Sequence, residues 1–208
     1  MKKLILSATA VLFGFGAFAQ TQEIGYGIKA GVNLPTYHFS ENSDDTESAT
    51  NFHVTAYMDA PLSPMFSIQP GISLQGKGAK LMDNGIGELK QNTMWIEIPV
   101  NAVAKFPAGE GNFFLGAGPY AAFGISGKND FEGNGVDIEE DFDFGSDGVP
   151  LLTQKGTDFG VNFQAGYQLS SGLTLGAGYG LGLSDIAPDN ANFKQNNRVL
   201  SFSVGFAL

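Results

Sequence analysis

Large apolar residues alternate with small or polar ones along most of this chain, most cleanly at residues 198–208. There Leu200, Phe202, Val204, Phe206 and Leu208 share one face, and Val199, Ser201, Ser203, Gly205 and Ala207 share the other. Successive strand side chains point to opposite sides, so this spacing predicts a β-strand with one greasy face. Seven earlier segments repeat the pattern: 24–34, 52–60, 66–77, 94–106, 113–125, 159–169 and 173–183. In the first, Ile24, Tyr26, Ile28, Ala30, Val32 and Leu34 oppose Gly25, Gly27, Lys29, Gly31 and Asn33. No apolar repeat of helical period and useful length appears.

The connections between the eight predicted strands alternate in length. Residues 38–51, 79–92, 128–155 and 184–197 are long and polar, whereas 61–64, 107–111 and 170–172 are tight. Short turns at one end and long loops at the other are the habit of outer-membrane barrels. The content of the two faces points the same way. One is nearly free of polar atoms; the other carries Lys29, Asp59, Lys77, Glu97 and Lys105 with Asn, Gln and Ser. Isolated ions in a dry interior are costly, so these five are expected to meet as a charge network inside the lumen, for example Lys77 with Glu97.

The predicted fold is therefore all-β: an eight-stranded antiparallel up-and-down transmembrane β-barrel with short periplasmic turns and long acidic outer loops. An even strand count puts both chain ends on the periplasmic side. Eight strands leave an interior that side chains fill, not an open channel. The inward glycines are expected to make room for Tyr57, Trp95, Phe114 and Tyr120. Pro70, Pro99 and Pro119 lie inside predicted strands, where they donate no ladder hydrogen bond, and bulges are expected at them.

Composition supports this reading. Gly 29, Phe 18 and only 15% charged residues suit closely packed strands. The absence of cysteine excludes a disulfide framework, a thiolate metal site and a lipidated N-terminal Cys. Residues 1–19 read as a cleaved Sec signal peptide: basic Lys2 and Lys3, an apolar run, and Ala17-Phe18-Ala19 before the cut. Residues 20–208 then form one barrel domain. Loss of both lysines takes the formal net charge from −10 to −12, which argues against nucleic acid as a partner. No later stretch reaches 18 uninterrupted apolar residues, so no transmembrane helix is expected.

Several pieces together resemble the PorT-like outer-membrane β-barrel family of Bacteroidota. They are Y-G-I-K-A-G-V-N-L at 26–34, F-S-I-Q-P-G-I-S-L-Q-G-K-G at 66–78, W-I-E-I-P at 95–99, F-L-G-A-G-P-Y at 114–120 and G-V-N-F-Q-A-G-Y at 160–167, with the last two strands. The resemblance implies an eight-stranded integral barrel in the outer membrane. The family's namesake is linked to protein secretion; no catalytic residue carries over. The partners it implies are outer-membrane lipid and lipopolysaccharide, and the assembly machinery through the C-terminal strand. That strand departs from the usual terminal Phe, ending in Leu208 with Phe206 two residues before.

Candidate chemistry is sparse. His38 and Ser40 form a His-x-Ser pair at the outer rim, similar to that of lipid A deacylases, with Glu41 or Asp44 as an orienting acid. The pair sits at the start of a loop rather than on a late strand, and no catalytic residue is assigned. His53 points inward by parity and is expected to be packed or hydrogen-bonded. The acids of 128–155 include Asp130, Glu132, Asp137, Glu139, Glu140, Asp141, Asp143 and Asp147. Phe131, Phe142 and Phe144 interrupt them and no calcium-loop signature appears, so a solvated, mobile outer loop is expected. No cofactor or metal is expected. The expected role is non-enzymatic, envelope-structural or loop-mediated contact with an extracellular partner. A small-molecule binding or transport barrel is the alternative, and a lipid A-modifying enzyme the third reading.

Overall fold

The computed structural model describes residues 23–40, 46–83, 87–133 and 136–208. The expected signal peptide, 1–19, lies outside them, as do Glu41 and Asp44. The strands are β1 (Gly25–Phe39), β2 (Asn51–Ser63), β3 (Phe66–Asp83), β4 (Gly87–Ala108), β5 (Gly111–Gly133), β6 (Val136–Phe142), β7 (Thr157–Leu169), β8 (Leu173–Gly182) and β9 (Gln195–Ala207). All pairings between them are antiparallel. Neighbouring strands pair in sequence except β6 with β7; β5 pairs with β7 instead, and β9 returns to β1 with Gly27 opposite Ala207 and Phe39 opposite Gln195. The ring thus closes with eight strands, which removes the open sheet edges.

Closure sorts the two faces as the alternation predicts. The outer surface is greasy: Ile28 is 53% exposed, Leu115 57% and Phe202 50%. Trp95, Thr93 and Lys77 are buried inside. Such a surface is stable only against hydrocarbon. Cross-strand from three large inward rings sits a glycine: Gly27 opposite Tyr57, Gly160 opposite Tyr120, Gly166 opposite Phe114. A Cβ at those glycines would run into the ring, so the missing side chain is the space the aromatic fills.

Two expectations are corrected. First, Pro70, Pro99 and Pro119 carry no bulges. The β3–β4 register is the same at Pro70↔Val100 and at Ser73↔Glu97, and β5–β7 runs unshifted through Pro119↔Val161. Pairing lapses at Gly71 and Ile72, opposite Pro99 and Ile98, but no residue is inserted. A missing N–H costs a ladder bond without changing the count. The register shifts fall instead between Pro61 and Ser63, between Lys80 and Met82, and in β5. There Met94 faces Ser126 and Trp95 faces Gly124, leaving Ile125 as the extra residue.

Second, much of 79–92 and 128–155 is strand, not loop. β4 has 22 residues and β5 has 23, against roughly 9–11 needed to cross a membrane. The excess stands beyond the apolar band as a sheet of β3, β4 and β5, widened by β6. Above the band the outward face no longer meets lipid, so its side chains turn polar and the alternation fades. The ladder itself continues. The described residues therefore hold nine strands, eight of them in the ring.

Candidate functional site: the polar lumen and its outer cap

Parity directs Lys77 of β3 and Glu97 of β4 inward, and Asp158, the second residue of β7, lies on the same side. Lys77 Nζ lies 3.3 Å from Glu97 Oε2 and 3.0 Å from Asp158 Oδ2. Asp158 is fully buried and heavily bonded. Its Oδ2 also accepts from Tyr120 Oη at 3.0 Å and Asn197 Nδ2 at 2.9 Å, and its Oδ1 accepts from Ser184 Oγ at 2.8 Å. Glu97 Oε1 accepts from Asn162 Nδ2 at 2.9 Å. The ammonium also lies 4.6 Å from the Tyr120 ring centroid and 5.5 Å from that of Trp95, within cation–π range.

The other lumen charges stand apart from this cluster. Lys105 pairs with Asp59, whose second oxygen accepts from Gln69 Nε2 at 3.2 Å. Lys29 Nζ donates to Gln164 Oε1 at 2.8 Å. Of the five residues singled out from the sequence, Lys77 meets Glu97 and Lys105 meets Asp59, while Lys29 meets a neutral amide. Asp158 was missed because the predicted strand began at Phe159. The signal was present, since Asp158 has the parity of Gly160 and Asn162.

His53 is buried, and its Nδ1 lies 2.8 Å from Asn33 Oδ1. Asn33 Nδ2 donates to Gln75 Oε1 and to the Gly76 carbonyl, which leaves Oδ1 to accept the imidazole N–H. Thr55 and Ser73 hydroxyls join at 2.6 Å. A cavity of about 100 Å³ remains between these groups, lined by Lys29, His53, Asn101 and Ser203 among others. That is room for a few waters.

The outer mouth is closed by residues 143–156 and 184–194, which correct the expected mobile loop by folding inward over the lumen. Phe144 packs edge-on to Trp95 with centroids 4.9 Å apart, and to Phe142 at 5.6 Å. A Cβ at Gly124 would strike the Phe144 ring, so that glycine seats the cap. Gln154 Nε2 donates to Gln91 Oε1 at 2.6 Å, and Asn129 Nδ2 to the Leu152 carbonyl at 2.9 Å. Lys155 N–H bonds the Ile186 carbonyl, and Asp189 N–H the Ser146 carbonyl, tying the two segments together. Buried Ile186 packs with Tyr37 and Ala79. Hydrophobic residues and buried amides inside nominal loops hold the cap in place.

The His-x-Ser pair does not build a hydrolytic arrangement in what is described. His38 stands opposite Asn196 at the end of β1, and Ser40 Oγ accepts the Lys194 N–H at 3.0 Å. Among the described residues no three His, Asp or Glu side chains gather as a metal site.

Three solved structures are similar to this chain at low sequence identity. Ail, the attachment invasion locus protein of Yersinia pestis, aligns over 90% of this chain and 100% of its own at 10% identity, TM-score 0.47. Neisserial surface protein A aligns over 90% and 99% at 14% identity, TM-score 0.45. The outer membrane protease OmpT of Escherichia coli aligns over 91% and 100% at 9% identity, TM-score 0.30. No curated protein sequence matches the chain. The model of the outer membrane protein beta-barrel domain matches residues 18–187, from ahead of β1 through β8. The chain belongs to that family of outer membrane β-barrel proteins, and the outer membrane is where it resides.

Proposed function

We propose that this barrel is a non-enzymatic structural and contact protein of the outer membrane, reached by Sec export through the leader at 1–19. The observation that carries the reading is the closed lumen. Lys77, Glu97 and Asp158 fill its outer half with mutually satisfied charge, and Phe144 seals it against Trp95. A barrel built this way spends its interior on stability and leaves its outer segments for recognition. The engagement of Ser40 Oγ with the Lys194 backbone gives no support to a lipid A-modifying nucleophile. PorT-like affiliation, with a bacteroidete source, rests on the sequence pieces quoted above. Lipopolysaccharide around the apolar band and assembly through β9 follow from the same proposal.

The cavity of about 100 Å³ favours a second reading, a barrel that holds a small polar solute without passing it. Reconstitution into planar bilayers separates contact from transport. The expected result is no stepwise conductance; stable unitary currents from the unaltered protein would replace the proposal with a channel. Lipid A from cells carrying Ser40→Ala is expected to match that from cells carrying the unaltered protein. A changed acylation pattern would bring the enzyme back.

A further inference from the structure

β6 pairs with β5 along one edge and, among the described residues, with no other strand along the second. It is the one described strand outside the closed ring, and it stands on the outer side of the membrane. Its two faces differ, although Glu140 shares the side of Ile138. Met82 faces Leu89, Leu89 faces Phe131, and Phe131 faces Ile138, which sets one apolar row across β3, β4, β5 and β6. Met82 is 52% exposed, Phe131 40% and Ile138 53%. The opposite face of the β5–β6 hairpin carries Asp130, Glu132, Asp137, Glu139 and Asp141; against these five acids stand Lys128, paired to Glu139 at 2.7 Å, and Lys90 of β4, opposite Asp130.

Resting on the reading of the outer segments as contact surfaces, we propose that the open edge of β6 takes up an extended segment of a partner protein in which basic and apolar side chains alternate. Adding a strand satisfies the backbone groups of β6. The period of two then puts the partner's apolar side chains beside Ile138 and its lysines or arginines beside Asp137, Glu139 and Asp141. A second copy fits badly. Antiparallel pairing of β6 with itself places acids opposite acids, which is destabilising. Lipopolysaccharide phosphates meet the same repulsion.

The test uses the full chain in detergent micelles and three synthetic peptides as long as β6. One alternates lysine and valine, one alternates glutamate and valine, and one repeats the lysine peptide with N-methylated amides on the ladder side. Binding is expected for the first alone, weakened about tenfold by Asp137→Lys with Asp141→Lys in protein that keeps its heat-modifiable migration. If that variant does not fold, the three peptides on the unaltered protein decide. Equal binding of the N-methylated peptide leaves charge attraction only and overturns strand addition. No binding of the lysine peptide overturns it too, and a concentration-dependent dimer that excludes the peptide assigns the edge to a second copy. Protease added to intact cells separates this outcome from failure of the contact role. A cleaved hairpin without peptide binding sinks only the present inference, whereas a hairpin shielded from outside sinks the contact role itself.

Discussion

Lys77 shows how much a single lumen residue can carry. It is buried with two carboxylates in reach, so removing it leaves Glu97 and Asp158 facing each other without a cation. Breaking a buried pair this way costs about 3–5 kcal/mol. Lys77→Met is expected to lose stability on that scale, read from urea unfolding of refolded protein in micelles. Lys105→Met is expected to lose less, because its pair with Asp59 is about a fifth exposed. On the lipid side depth decides. Val204→Arg, near mid-band, is expected to cost ~2–4 kcal/mol and Leu208→Arg, near the edge, ~0–1 kcal/mol; equal costs in the same unfolding experiment would contradict the placement of the band. At this scale the sequence was legible through parity, which set Lys77 and Glu97 inward and Val204 outward. Asp158 escaped because the predicted strand began one residue later, at Phe159, although its parity is that of Gly160 and Asn162.

Among the elements, β5 has the most complicated task. Its lower half belongs to the ring with β4 and β7, and its upper half to the outer sheet with β4 and β6. The extra Ile125 lies between the halves and reverses which side faces the axis. Buried Gly127 and Asn129 sit beneath the cap as a result. Deleting Ile125 is expected to turn Lys128 and Asp130 toward Leu151 and Leu152, read as loss of heat-modifiable migration. The cap itself is accessible through Trp95, the single tryptophan. Phe144→Ala is expected to shift its emission to the red and admit acrylamide, whereas the unaltered protein resists quenching. An unchanged spectrum would mean that the ring does not seal the mouth. The ring strands were readable in the sequence because lipid on one side and protein on the other enforce two different chemistries. Beyond the band, at 79–83, 87–92 and 128–133, the outward side meets water and the inward side meets the polar amides of the cap, so that contrast disappears and strands read as loops. The cap was unreadable for another reason: Phe144 and Ile186 gain their meaning from contacts across the mouth, not from local spacing.

For the molecule as a whole, the lumen holds Lys29, Lys77 and Lys105 against Asp59, Glu97 and Asp158. The ions therefore balance within a shell of hydrocarbon. The pair formed by Lys77 and Asp158 has a separate consequence. These residues lie 81 positions apart and belong to β3 and β7 on different sides of the ring. During insertion β3 and β4 can form their hairpin early, but the ammonium then has only Glu97. Its second carboxylate arrives when the later hairpins have curled round to meet it. In a half-rolled sheet the Lys77–Glu97 pair is already neutral and the Asp158 carboxylate is the charge left without its cation, until closure brings β7 to Lys77. The ion pair thereby makes completion of the cylinder electrostatically downhill and dwelling at an open intermediate unfavourable.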